Sequence, residues 1–176
     1  MSYAIGDAEV VAWIRESTTT GLNIGAAIPP GFASYATVVI PDDDAGRLAH
    51  DRTLVELLRR HSPESSWWLG YLETGGDPIP FPDAPKVGLY AGWRYVIVHA
   101  GSDEALSLRD GHWGRTLPEL LFPDDRSWLV SALWDDDWRC VGGPASLIGS
   151  MVEAAELETR VVDFTQDATP PGHIAY

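Results

Sequence analysis

The sequence predicts an α+β domain: one mainly antiparallel sheet with helices packed on one face. Three observations predict it. Apolar residues recur at helical spacing around Val10–Ile14 and Leu54–Leu58. Between and after them come short runs rich in aromatic and β-branched residues, bounded by Gly, Pro and Asp, several close enough in sequence to pair as hairpins. Regular βα alternation of the doubly wound kind is not evident. With 176 residues, of which 45% are hydrophobic, the chain suffices for one core. That domain is expected over residues 1–165, with 166–176 as a mobile tail.

Asp7 is placed to cap a first helix whose inner face carries Val10, Trp13 and Ile14. After Ile28-Pro29-Pro30-Gly31, the stretch Phe32 to Ile40 reads as a strand closed by Pro41, and Asp42, Asp43 and Asp44 read as a solvated loop. In the segment from Asp51 to His61, Thr53 and Glu56 have capping-box spacing, and Leu54, Leu57 and Leu58 form a buried stripe, so a second helix is expected there. Trp67 to Glu73, apolar on both faces, reads as a central strand. Gly75 to Pro85 is a proline-rich loop. Lys86–Ala91 and Trp93–Ala100 should form a hairpin about Ala91-Gly92. From Gly101 to Pro123 the pattern is weak, with one helical turn around Glu104 to Leu108 and loop elsewhere. Ser127 to Trp134 and Trp138 to Val141 read as two strands reversing through Asp135–Asp137. Gly142-Gly143-Pro144 opens a third helix with Leu147, Ile148, Met151 and Val152 inward. Arg160 to Phe164 is a last short strand.

The formal charge of −14, from 26 carboxylates against 12 basic groups, argues against nucleic-acid or anionic-membrane binding and favours solubility or a basic partner. Cys140 is the single cysteine, so neither an intrachain disulfide nor a cysteine-based zinc site is expected. No run approaches the ~20 apolar residues of a membrane span. The first residues lack a basic segment followed by an apolar one, so a cytoplasmic location is expected.

The segment from Leu121 to Pro144, L-F-P-D-D-R-S-W-L-V-S-A-L-W-D-D-D-W-R-C-V-G-G-P, resembles a family of small, tryptophan-rich, uncharacterised proteins of high-GC actinobacteria. The likeness rests on Pro123, Asp125, Arg126, Trp128, Val141, Gly142 and Gly143, and extends from about Ile28 to Leu157. This chain has Leu129 where a cysteine often stands in that family, and Trp134-Asp135-Asp136-Asp137 where an isoleucine–aspartate pair is usual. The resemblance implies a fold and no activity.

The carboxylates of Asp135, Asp136 and Asp137 lie between Trp134 and Trp138 and could bind a cation or a sugar, but their consecutive spacing suits a solvated turn better. Arg126 is expected to pair with Asp124 or Asp125, with a ligand carboxylate as its alternative partner. His112, beside Trp113, is a candidate general base, although most loop histidines are inert. Trp13, Trp68 and Trp128 read as core, and Cys140 as a core thiol. No metal motif, nucleophile elbow or phosphate loop is present, and no cofactor or metal is expected.

The leading expectation is a non-enzymatic, immunity- or antitoxin-like protein. It would engage a basic protein partner through Trp113, Arg126, Trp134, Asp135, Asp136, Asp137 and Trp138. The alternative is a small-molecule site, catalytic or not, in a cleft beside the sheet, built on His112, Arg126 and Trp128. A structural subunit of a homo-oligomer is the third reading.

Overall fold

A computed structural model describes residues 3–76, 78–109 and 116–175. It is a single α+β domain in which nine strands form one antiparallel sheet. The strands are β1 (Ala4–Ile5), β2 (Ser34–Val39), β3 (Trp67–Leu72), β4 (Val87–Leu89), β5 (Trp93–Ala100), β6 (Leu120–Pro123), β7 (Leu129–Ser131), β8 (Trp138–Gly143) and β9 (Glu158–Val161). Their order is β1-β5-β3-β6-β7-β8-β2-β9, with β4 also on β5. The four helices are α1 (Ala8–Arg15), α2 (Asp44–His61), α3 (Ser102–Ser107) and α4 (Ala145–Glu153).

Helices α2, α3 and α4 form the predicted layer on one face. There Leu54, Leu58, Leu147 and Met151 meet Val38, Leu69, Val98 and Val141 of the sheet. At the centre Trp67 and Trp128 pack edge to face with centroids 5.0 Å apart, and the Trp128 indole N–H donates to Ser62 Oγ at 2.9 Å. The other face is covered as well. Val11 and Ile14 of α1, Ile24 and Ile28, and Ala168 from the tail pack on Tyr95, Phe122 and Cys140. Residues 166–175, expected to be mobile, are tied to the body: Ala168 N–H donates to Leu22 O at 2.7 Å, Arg160 donates to Thr169 O at 3.0 Å, and His173 meets Asp137 at 2.7 Å.

Where the chain departs from the sequence reading, packing decided. Helix α2 begins at Asp44, seven residues before the predicted segment from Asp51 and ten before the Leu54 start that a cap at Thr53 implies. Asp43 is its cap, accepting from the Gly46 N–H at 2.8 Å, and Asp44 sits where an anion favours the helix dipole. Thr53 therefore lies inside the helix and caps nothing. The region read as loop before Pro123 contains β6, a short run that becomes a strand because β3 and β7 pair with it on its two sides. The last strand starts at Glu158, two residues before the predicted Arg160. Gly142 and Gly143 end β8 rather than open the helix, and they serve close packing: a Cβ at Gly142 would lie 2.6 Å from Ile28 and 2.7 Å from Phe32.

Antiparallel pairing sorts the connections between two ends of the sheet. Val39 pairs with Trp138, and Leu120 pairs with both Gly70 and Ser131. The exits of β2, β3 and β7 and the entrances of β6 and β8 thus share one end. The β6–β7 connection, residues 124–128, lies at the opposite end.

Candidate functional site

At the first of these ends the chain forms a cleft of about 460 Å³. The first turns of α2 contribute Arg47 and Asp51, the exit of β3 contributes Leu72 and Thr74, and the entrance of β6 contributes Leu117 and Glu119. The β7–β8 turn, Trp134 to Asp137, closes it together with Arg139 from β8.

Arg109 and Glu119 brace one wall. The guanidinium donates to both carboxylate oxygens, at 2.9 and 2.7 Å, and to Leu117 O at 3.1 Å; Glu119 also accepts from the Leu72 N–H at 3.0 Å. Both side chains are nearly buried, 2% and 10% exposed, and the guanidinium lies 5.1 Å from the centroid of the Tyr71 ring. Such a pair holds two chain segments in register and has little capacity left for a ligand.

Asp51 differs. It is 4% exposed and lines the cleft, yet among the described residues no hydrogen bond or ion pair reaches its carboxylate. Burial pushes its pKa from the ordinary 3.8 up to about 6, against the pull of Arg139 and Arg47. Asp136, on the opposing turn, is also raised to about 6, first by burial and then by its neighbours Asp137 and Asp135. Two poorly stabilised carboxylates therefore share one concavity. The cations beside them are committed elsewhere. Arg47 donates to Asp44 at 2.6 Å and Arg139 to Pro118 O at 3.2 Å, although buried Nε atoms of Arg47 and Arg109 make no hydrogen bond. Behind Asp51, His50 is fully buried with neither ring nitrogen hydrogen-bonded; burial, and then Arg139, lower its pKa to about 3 and keep it neutral.

Of the residues singled out in the sequence, Trp134, Asp135, Asp136 and Asp137 line the cleft. Trp134 is half-buried and packs edge-on against Trp93, centroids 5.9 Å apart. Asp135 adopts a left-handed φ of 65° and is exposed, and Asp137 is held by His173. Trp138 is not part of this surface: it is 3% exposed and packs in the core of the second face. Arg126 is not part of it either. It lies in the β6–β7 connection at the far end, exposed, with its guanidinium 5.3 Å from the Trp13 ring centroid. The carboxylates expected to pair with it are engaged otherwise, Asp124 with His99 at 2.8 Å and Asp125 with the Ser127 N–H at 3.0 Å. Trp128 is core and cannot line a site. His112 and Trp113 fall outside the described residues. Cys140 is a buried thiol whose pKa burial raises to about 12, which removes it as a nucleophile.

Asp51, Arg47, Glu119, Arg109 and Arg139 were not singled out in the sequence. A signal existed for two of them. Once α2 begins at Asp44, residues 47, 51, 54, 55 and 58 fall on one helical face, so a carboxylate interrupts the buried stripe. Among the described residues no three His, Cys, Asp or Glu side chains are placed to share a metal ion, and no helix is long and apolar enough to cross a membrane. Comparisons with protein-family models, with curated proteins and with solved structures find no match for this chain.

Proposed function

We propose that this protein binds a small polar molecule in the cleft between α2 and the β7–β8 turn. The observation that carries the reading is the concavity. A volume of about 460 Å³ falls within the ~300–1,000 Å³ typical of ligand sites, and a free buried carboxylate and an indole line it. Perturbed carboxyls in a cleft are the usual physical mark of a functional site. The reading assigns binding and no reaction. It keeps the small-molecule alternative drawn from the sequence, which named His112, Arg126 and Trp128, and rests instead on Asp51, Trp134 and Asp136; His112 lies outside the described residues. Thermal-shift screening of purified protein against amines, sugars, nucleotides and carboxylates tests it. A ligand that raises the melting temperature should do so less in Trp134→Ala. If no compound stabilises the protein, the reading fails.

A second reading is an immunity- or antitoxin-like protein engaging a basic protein partner. Its support is the exposed rim, Asp135 and Asp137, on a chain of net charge −14. Association through that rim would slow as ionic strength rises. Affinity capture, followed by binding measured at low and high salt, separates it from the first.

A further inference from the structure

Within the reading of a small-molecule cleft, the asymmetry between engaged and free groups identifies a ligand class. The described lining residues include three guanidiniums and six carboxylates. Arg109 and Glu119 neutralise one another in a bidentate pair, Arg47 is bonded to Asp44, and Arg139 is bonded to Pro118 O. Five carboxylates thus face the interior or the rim against two cations that already have partners. Asp51 is the deep one: 4% exposed, at the wall of the cleft, and without a hydrogen bond. Asp136 faces the same space from the turn with no hydrogen bond to its side chain. Among the described lining residues negative charge exceeds positive, and the Asp51 and Asp136 carboxylates receive no N–H donor, although the Nε of Arg47 and of Arg109 also makes no hydrogen bond.

We infer that the cleft takes a small organic cation, an ammonium or guanidinium group seated on Asp51 and within the field of Asp136, with the Trp134 indole beside it. Such a group supplies several N–H donors to carboxylates that have none and offsets a net negative interior. A cation over the indole face gains cation–π attraction. Trp134 is held for this by its edge contact with Trp93. A hard metal ion fits less well, because it needs several oxygens converging on one point and no such group of three stands among the described residues. An anionic ligand would meet the free carboxylates of Asp51 and Asp136. Burial raises the pKa of both carboxyls, at Asp51 against the pull of Arg139 and Arg47 and at Asp136 together with Asp137 and Asp135.

The test measures agmatine, spermidine, glucose and AMP against the whole protein by calorimetry and thermal shift at about pH 7.5, where both carboxyls are ionised. Agmatine or spermidine should bind, and Asp51→Asn should weaken that binding by at least about tenfold, the scale of one lost charge contact. Asp136→Asn should weaken it in the same direction, whereas Glu153→Gln on the far groove between α2 and α4 should leave it unchanged. Equal agmatine binding by wild type, Asp51→Asn and Glu153→Gln would mean diffuse surface attraction and overturn the inference. Binding of glucose or AMP, but of neither amine, with loss in Trp134→Ala, overturns the cationic class and leaves the cleft reading standing. No binding of any of the four, with no hit in the wider screen, sinks both.

Discussion

Replacing Asp51 by asparagine removes a charge that the fold holds at a cost, and the resulting change in stability has a definite sign and pH window. In the unfolded chain the carboxyl titrates near 3.8; in the native protein burial, opposed by Arg139 and Arg47, raises it to about 6. A carboxyl with a raised native value binds its proton more tightly when folded. Its contribution to stability is therefore fully present below pH 3.8 and is lost as pH rises through about 6. A rise of this size corresponds to about 3 kcal/mol at ~1.4 kcal/mol per pKa unit. Asn keeps the shape and some of the polar desolvation, so Asp51→Asn should be more stable than wild type by about 2–3 kcal/mol at about pH 7.5. The gap should close towards zero at about pH 3.5, where the carboxyl of wild type is neutral too. Urea unfolding of both proteins across this range measures it. The other charged groups of the cleft are the same in both proteins, so the difference between them isolates Asp51. Equal stability at neutral pH, or a gap that does not change with pH, refutes the reasoning. Gained stability joined to lost agmatine binding would be the mark of a site kept at the expense of the fold.

Four further outcomes follow from the packing. Glu119→Gln leaves the Arg109 guanidinium buried without its counter-charge, and denaturant unfolding should show a loss of about 3–5 kcal/mol. Asp43→Ala should cost about 1 kcal/mol and Thr53→Ala much less, because Asp43 is the cap of α2; the opposite order would restore the later helix start. Gly142→Ala brings a methyl to within 2.6 Å of Ile28 and should destabilise by about 1–3 kcal/mol, read as a lower melting temperature. Arg126→Ala, at the far end of the sheet, should shift stability by less than about 1 kcal/mol and leave agmatine affinity as in wild type; a marked loss of binding would tie that end to the cleft.

The amino-acid sequence by itself determined the class of fold and most of its parts. Local signals were strong wherever periodicity and punctuation agreed. Examples are Asp7 capping α1, the two-faced apolar run of β3, the β4–β5 hairpin about Ala91-Gly92, and the acidic reversal between β7 and β8. Even Trp134 to Asp137 could be marked as candidates from composition alone. Tertiary structure decided the rest. The strand β6 has no signal of its own and exists because two neighbours offer it hydrogen bonds. The start of α2 was hidden by a run of three aspartates that reads as loop, although Asp43 is the cap and Asp44 the first helical residue, and with that start went the register that puts Asp51 on the buried face. Arg126 and Trp134 stand eight residues apart in sequence yet at opposite ends of the sheet, since the strand β7 between them carries the chain across it. Spacing along a chain fixes which face a side chain takes. Which remote side chains share a cleft, and whether a buried carboxylate finds a partner there, depends on how strands distant in sequence pair and where each connection is left.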